Sequence, residues 1–295
     1  MINYNYSCIL NITRPIGRDF MLYLTMDDGI RLYYENHGEG DALVFCHGLN
    51  SSHAANKRLY GEFHDDFNVV LYDQRGHGLS DRSTIHMNIK RLGRDLNEII
   101  ETLDLDDVTL IGHSMGAATI YSYVDQFGCD KIKRIVVSDM SPYMRNDGWS
   151  GGIAQGNWSD EDFMDDLDRI FDDVAYASFY IFRNIMVPDS SNVPGMDDKD
   201  YIRSFGEGVD ATTMASLWYS LFRSDHRPAL DRITVPFMYL MPDFPLYSME
   251  AVNYIKEHVK DAFILEDDFP GTTHALWNQM PHEVAEAIKK FIREY

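Results

Sequence analysis

The chain has 295 residues, of which 45% are hydrophobic and 25% are charged, so it can bury one large core. Its 26 Lys and Arg residues against 47 Asp and Glu residues give a formal net charge of −21 at pH 7, which repels nucleic acid and anionic membrane surfaces. No segment is uniformly apolar over the roughly 18 residues that a membrane span needs. We therefore expect a soluble protein that binds neither nucleic acid nor a membrane.

Three scattered cysteines, Cys8, Cys46 and Cys129, are too few for a disulfide framework and lack the spacing of a metal site. This usage fits a reducing cytoplasm, so we expect a cytoplasmic protein. The first residues lack the basic start and the apolar block of a secretory signal. We interpret residues 1–20 as an N-terminal extension that is a candidate for disorder, with Met21 opening the folded part. No sequence feature indicates an oligomeric state.

From Met21 onward, strand-like and helix-like segments alternate. Asp28-Gly29 lies between two alternating segments and predicts an antiparallel hairpin. Helical patterns separate most of the segments that follow, which predicts an α/β fold with a mostly parallel eight-stranded sheet and helices on both faces. The six further strand-like segments are 42–47, 67–73, 108–113, 132–139, 235–241 and 261–267. The helical patterns of this framework are roughly 53–63, 88–103, 115–127, 248–259 and 281–294.

The alternation stops between the strand that ends near Asp139 and the strand that begins near Val235. The intervening residues have helical and loop patterns without a convincing strand. We therefore predict a helical cap insertion over 141–230. The two segments 21–140 and 231–295 then form a single core.

Several segments of the insertion carry further signals. Ser159 followed by Asp162 has the pattern of a helix-capping box. The acidic run over 159–173 has apolar residues at helical spacing, so we interpret its charge as a solvated helix face rather than a cation site. Residues 174–186 are apolar almost all round, which predicts burial against the sheet or a place in a cavity wall. Six aromatic residues are candidates for an acyl pocket or for core packing: Trp149, Trp158, Phe179, Tyr180, Phe182 and Trp218.

The segment 108–119 contains the sequence GHSMG, in which Gly112 and Gly116 flank Ser114. An apolar strand precedes this sequence and small residues follow it, so the chain must turn sharply from a strand into a helix. This is the pattern of a nucleophile elbow, whose glycines allow close backbone approach while the serine oxygen is exposed on a strained turn. A simple tight turn is the alternative, and the strand-turn-helix context favours a nucleophile.

A serine needs a base to take its proton near neutral pH. On a sheet of this kind the order along the chain is serine, acid and histidine, so the base follows Ser114. His226, His258 and His282 lie in the insertion, on an amphipathic helix and at a helix start. His274 lies between the last strand and the last helix, at the edge of the sheet where Ser114 also lies. The pattern therefore favours His274 as the base.

Two backbone N–H groups are candidates for an oxyanion hole. Met115 follows the serine at a helix N-terminus, where the helix dipole favours negative charge. In the loop after the third strand, Gly48 permits close approach and Leu49 presents its N–H group. Each donor of this kind typically contributes about 3 kcal/mol to transition-state stabilisation. His47, in the same loop, is then expected to be structural.

Taken together, these motifs resemble the α/β-hydrolase superfamily over nearly the whole chain from Met21. The resemblance implies catalysis by serine, histidine and a carboxylate, without a cofactor or a metal. Asp73, Arg75 and His77 are expected to brace a turn below the site. Serine at the elbow argues against the dehalogenases and epoxide hydrolases of this fold, which carry aspartate there. The matching sequences are HGLN at 47–50, DQRGHGLSD at 73–81, GHSMG at 112–116 and TTHALW at 272–277.

The resemblance leaves two candidates for the acid. The commonest arrangement in the superfamily has the acid after the penultimate strand, where this chain offers Asp243 without the usual preceding glycine. Some members carry it after the strand that follows the elbow helix, where this chain offers Asp139. We favour Asp139 because its strand register needs no shift, and Asp243 remains the alternative.

These residues predict a serine hydrolase that cleaves an ester-like bond of a small, largely uncharged molecule through an acyl-enzyme. The motifs do not distinguish an esterase from a lactonase, a thioesterase, a carbon-carbon bond hydrolase or an acyltransferase. A ligand receptor that keeps the fold without catalysis is the alternative from another class. It is disfavoured because a receptor has no need of all three residue types in matching places.

Overall fold

The computed structural model describes residues 23–186, 195 and 197–295. The predicted extension over 1–20, and the predicted start of the folded part at Met21, lie outside the described residues. Eight strands form one sheet in the order β1-β2-β4-β3-β5-β6-β7-β8. They are β1 Tyr23–Thr25, β2 Arg31–His37, β3 Ala42–Cys46, β4 Asn68–Tyr72, β5 Val108–His113, β6 Ile132–Ser138, β7 Phe237–Leu240 and β8 Phe263–Leu265.

The sheet is antiparallel at one edge and parallel elsewhere. β1 pairs with β2 and β2 with β4 in antiparallel register, and the remaining neighbours are parallel. The predicted hairpin closes at Asp28-Gly29, where Gly29 has a φ of 84°. This confirms the predicted mostly parallel eight-stranded sheet. The carboxyl ends of its parallel strands all lie on the same side of the sheet, and the loops after β3, β5, β6, β7 and β8 meet there.

Helices cover both faces of the sheet, as predicted, because each face presents an apolar surface. α2, α3 and α9 pack on one face, and α1, α10 and α11 pack on the other. Among the described helices, none is both long enough and apolar enough to cross a membrane. These helices are α1 Lys57–Gly61, α2 Ile89–Thr102, α3 Met115–Phe127, α9 Met249–His258, α10 Leu276–Gln279 and α11 Pro281–Glu294.

Between β6 and β7, the described part of the chain is mainly helical. A 3₁₀ turn at Ala154–Gly156 and a π-helical turn at Phe182–Met186 interrupt the α helices. The predicted capping box is confirmed, because Ser159 and Asp162 exchange side-chain and backbone hydrogen bonds at the start of α4. The α helices are α4 Asp160–Asp172, α5 Val174–Ile181, α6 Lys199–Ser204, α7 Ala211–Arg223 and α8 Arg227–Leu230.

Candidate active site

The turn between β5 and α3 is strained at Ser114. This residue has φ 53° and ψ −123°, a conformation that costs a non-glycine residue about 1–3 kcal/mol. Its N–H group donates to the Ser138 carbonyl oxygen at 3.1 Å, which ties the turn to the end of β6. The strand, the strained residue and the helix follow in the order that the motif predicts.

Glycines allow three pieces of backbone to meet around Ser114. A Cβ atom at Gly116 would overlap the carbonyl oxygen of Cys46, at the end of β3. A Cβ atom at Gly112 would lie 2.7 Å from the Ala117 backbone nitrogen, and one at Gly48 would lie 3.3 Å from the Ser114 Cβ atom. The first turn of α3 and the loop after β3 therefore approach each other beside the serine.

The loop between β8 and α10 carries His274 to the same edge of the sheet. His274 is 6% exposed, and its Nδ1 atom lies 2.7 Å from Asp139 Oδ2. Donation by Nδ1–H to this carboxylate leaves Nε2 as the basic nitrogen of the imidazole. Asp139 is fully buried and follows directly after β6. Its carboxylate also accepts the N–H group of Leu246, at 3.1 and 3.2 Å from its two oxygens.

Asp243 lies in the loop after β7 and is exposed. Its Oδ2 atom accepts the N–H group of Gly271 at 2.8 Å, and its own N–H donates to Thr272 Oγ1 at 3.3 Å. Asp243 therefore holds the backbone of the loop that carries His274, while Asp139 contacts the imidazole itself.

Two aromatic rings support the imidazole of His274. The ring of His113 lies 4.6 Å from it, centre to centre, and the indole of Trp277 lies 5.1 Å from His113. Burial lowers the pKa of His113 well below its usual value, and the positive charge that His274 can carry lowers it further. His113 therefore stays neutral, and this stack restricts how His274 can rotate.

The other three histidines after Ser114 lie elsewhere. His258 Nδ1 is 2.8 Å from Asp231 Oδ1, and His282 Nδ1 is 3.2 Å from Glu62 Oε2. The His226 backbone N–H donates to the Pro142 carbonyl oxygen. Of these four histidines, all of which the structure describes, His274 alone lines the cavity that Ser114 lines.

Two buried imidazoles brace the loop of Gly48 and Leu49. His47 Nε2 accepts the Gln74 N–H group at 3.0 Å, and His77 Nε2 accepts the Asn50 N–H group at 3.2 Å. Burial lowers the pKa of both histidines, that of His77 to about 3. Both are therefore neutral, with a structural role.

The other residues of DQRGHGLSD also make structural contacts. Asp73 accepts two hydrogen bonds from His53, one from its backbone N–H at 2.6 Å and one from its ring at 2.8 Å. The fully buried guanidinium of Arg75 donates to Asp95 at 2.6 and 2.7 Å and to Asp28 at 2.9 and 3.3 Å. These contacts brace the turn below the site.

A cavity of about 230 Å³ opens at Ser114 and His274. Its walls come from the loops of the sheet and from the segment between β6 and β7. The prediction that residues 174–186 line a cavity is confirmed by four of them, and two predicted aromatic candidates, Phe182 and Trp218, lie in the wall. The apolar lining residues are Leu49, Met140, Met144, Ile153, Ile181, Phe182, Met186, Phe205, Met214, Trp218, Leu221, Leu246, Ala275 and Trp277.

The sequence did not single out three of the residues that line this cavity: His113, Asn56 and Ser178. His113 stands beside the serine in the motif, which was a usable signal for its position. Asn56 had no such signal. Ser178 lies in the segment 174–186, which the sequence predicted to be buried or to line a cavity, but the apolar pattern of that segment does not distinguish its one serine.

Comparison with known proteins agrees with this fold. The family model described as the alpha/beta hydrolase fold matches residues 41–173. The chain is 28% identical to 2-(acetamidomethylene)succinate hydrolase of Mesorhizobium japonicum, over 96% of this chain and 99% of that protein. It is 25% identical to the bifunctional esterase/perhydrolase DCH of Acinetobacter calcoaceticus, over 92% and 97%.

Solved structures show the same fold. The bromoperoxidase from Bacillus anthracis superposes with a TM-score of 0.79, at 21% sequence identity, over 90% of this chain and 96% of that chain. The family match and the solved structures together show that this chain has the α/β-hydrolase fold. Its relatives are hydrolases, which supports an enzyme.

Proposed function

We propose that this protein is a serine hydrolase that cleaves a carboxylic ester of a small, uncharged molecule through an acyl-enzyme intermediate. The observation that carries the proposal is the shared cavity of Ser114 and His274, together with the 2.7 Å contact between His274 and the buried Asp139. A nucleophile, a base and a carboxylate that orients the base are the three parts that acyl transfer by serine requires.

In the first half-reaction, His274 Nε2 takes the proton of Ser114 Oγ as this oxygen attacks the ester carbonyl. Asp139 stabilises the resulting imidazolium through its contact with Nδ1. The imidazolium then gives the proton to the leaving alkoxide, and the ester becomes an acyl-serine and an alcohol. In the second half-reaction, water loses its proton to His274 and attacks the acyl-serine, which releases the acid and restores the Ser114 hydroxyl.

The carbonyl oxygen carries negative charge in both tetrahedral intermediates. Met115 is the first residue of α3, so its N–H group has no partner within the helix and is free to donate. Leu49 lines the cavity next to Gly48. We assign the oxyanion hole to these two N–H groups, each of which is worth about 3 kcal/mol in acyl transfer.

We also propose that residues 141–230 act as a cap over a core of 21–140 and 231–295. The walls of the cavity support this division, because Gly48, Ser114 and His274 come from the proposed core, while Phe182 and Trp218 come from the proposed cap.

A neutral substrate follows from the lining of the cavity. The Mesorhizobium relative is named for a succinate, which carries two carboxylates. Among the described residues that line this cavity there is neither Lys nor Arg, and an unpaired anion is costly to bury. We therefore propose a neutral ester for this chain.

Active-site labelling tests the proposal. A fluorophosphonate is expected to label the wild-type protein and not Ser114→Ala, with the adduct on the peptide that contains residue 114. Ser122→Ala is the matched control, because it makes the same change further along α3. Folded wild-type protein that resists labelling, or label retained in Ser114→Ala, would show that Ser114 is not the nucleophile.

A further inference from the structure

Two polar side chains in the cavity wall lack hydrogen bonds that their positions would normally give them. Asn56 lies at the N-cap of α1, yet its side chain makes no capping bond. Asparagine is among the preferred N-cap residues, and its capping bond is typically worth about 1 kcal/mol. Asn56 is 5% exposed, and its Oδ1 atom has no partner among the described residues.

Ser178, in the segment between β6 and β7, presents the same situation. It lies inside α5 and is 6% exposed, and its Oγ atom has no partner among the described residues. A serine inside a helix commonly bonds to the carbonyl four residues earlier or points to solvent, and Ser178 does neither. A buried polar group without a partner costs about 1–3 kcal/mol.

The surroundings define what these two groups can bind. Most of the lining is apolar, and its described residues include no Lys, Arg, Asp or Glu, so a charged ligand group would lack a counter-ion. The Asn56 amide and the Ser178 hydroxyl can each donate and accept a hydrogen bond. A hydroxyl group has the same double capacity and is neutral.

We propose that Asn56 and Ser178 form a polar subsite for a hydroxyl group of the substrate, so that the enzyme is selective for hydroxylated neutral esters over plain alkyl esters. This inference rests on the proposed function for the ester and on the cavity for the hydroxyl. Asn56 contributes from the loop that follows the oxyanion residues, and Ser178 contributes from the proposed cap. The proposed subsite therefore takes one residue from the loops of the sheet and one from the proposed cap.

Binding to the Ser114→Ala protein tests the subsite without any turnover. The probes are 2-hexanone and three hydroxylated forms of it, with the hydroxyl on carbon 4, 5 or 6, titrated by ligand-observed NMR. We expect at least one hydroxyketone to bind about tenfold more tightly than 2-hexanone, as one good hydrogen bond allows. Adding Asn56→Leu or Ser178→Ala should bring this ratio close to one.

Asn68→Leu is the matched control. Asn68 Oδ1 is also buried without a described partner. This residue is the first of β4 and lies at the ends of the parallel strands that are away from the cavity, so the tenfold ratio should persist. Ser178→Ala also guards against misfolding, because alanine favours a helix. Equal binding by all four ketones, including no binding by any, or a ratio that both variants leave intact, would overturn the subsite. Because no step needs a nucleophile, these results are independent of the fluorophosphonate test.

Discussion

The two walls of the cavity differ in the side chains that they present. On the wall formed by the sheet loops, Asp139 accepts the N–H group of Leu246 and contacts His274 at 2.7 Å. On the same wall, His77 accepts the N–H group of Asn50. On the wall formed between β6 and β7, the lining is mainly Met and aromatic side chains, and the Ser178 hydroxyl has no described partner. We propose that the sheet loops carry the catalytic residues, and that the helical segment, together with Asn56, selects the substrate.

The first test of this division removes the proposed base. His274→Ala should lower kcat by about 10⁶, because loss of the histidine of such a triad costs nearly as much as loss of all three residues. His258→Ala removes an imidazole on α9 that contacts Asp231, and it should keep kcat within a few-fold in the same ester assay. A His274→Ala enzyme with nearly full activity would assign the base elsewhere.

The second test separates the two aspartates. Asp139→Asn should lower kcat by about 10⁴, because the amide no longer favours the correct imidazole tautomer or its charged form. Asp243→Asn should lower kcat less than about tenfold, since among the described residues this side chain holds the Gly271 N–H group alone, and a neutral hydrogen bond can replace that contact. Steady-state kinetics on one ester give both values. Similar losses in the two variants would contradict the choice of Asp139.

The third test concerns the bracing of the oxyanion loop at acid pH. The pKa of His77 in the folded protein is lowered to about 3 by burial, below the value of about 6.5 that a histidine has in an unfolded chain. Between these values the unfolded state binds the extra proton. The contribution of His77 to stability is therefore complete above pH 6.5 and is lost as the pH falls toward 3.

Urea unfolding between pH 6 and pH 4 measures this loss. In the wild type, the free energy of unfolding should fall as the pH is lowered over this range. His77→Gln should make this slope smaller by up to about 1.4 kcal/mol per pH unit, the value for one proton. His282→Gln changes a side chain that is 68% exposed and should leave the slope as in the wild type. A wild-type slope in His77→Gln would mean that His77 does not carry this acid sensitivity.

The fourth test acts on the helical wall. Phe182→Ala removes an aromatic ring from the cavity, and the lost apolar contact should lower kcat/KM for a hexanoate ester by about tenfold, with a smaller loss for an acetate ester. Phe171→Ala, on a ring that is 65% exposed on α4, should change neither value. Equal losses for both esters would show that Phe182 does not contact the acyl chain.

The parts of the fold that local patterns determine agree closely with the structure. β5 and α3 have the predicted bounds, Val108–His113 and Met115–Phe127, because a β-branched run and a run of small residues each favour one structure. α1 begins at Lys57, later than the predicted start near residue 53. The preceding residues instead form turns along the cavity, where tertiary contacts outweigh helix propensity.

The residues of the candidate site also differ in how far the sequence predicts their positions. The position of Ser114 follows from its neighbours in sequence, but the partner of His274 depends on how far β6 and β7 extend at the edge of the sheet. That offset is a tertiary property, and for this reason two aspartates were compatible with the sequence. Asn56 and Ser178 are ordinary residues in their segments, and only their burial in one cavity distinguishes them.

In the proposed mechanism, Ser114 carries the acyl group during turnover. Acid quenching within milliseconds of mixing with p-nitrophenyl butyrate, followed by intact-protein and peptide mass spectrometry, tests it directly. We expect a protein heavier by one butyryl group, with the group on the peptide containing residue 114, and no such species in Ser114→Ala. Undiminished turnover by Ser114→Ala, with no acylated wild-type protein, would contradict it.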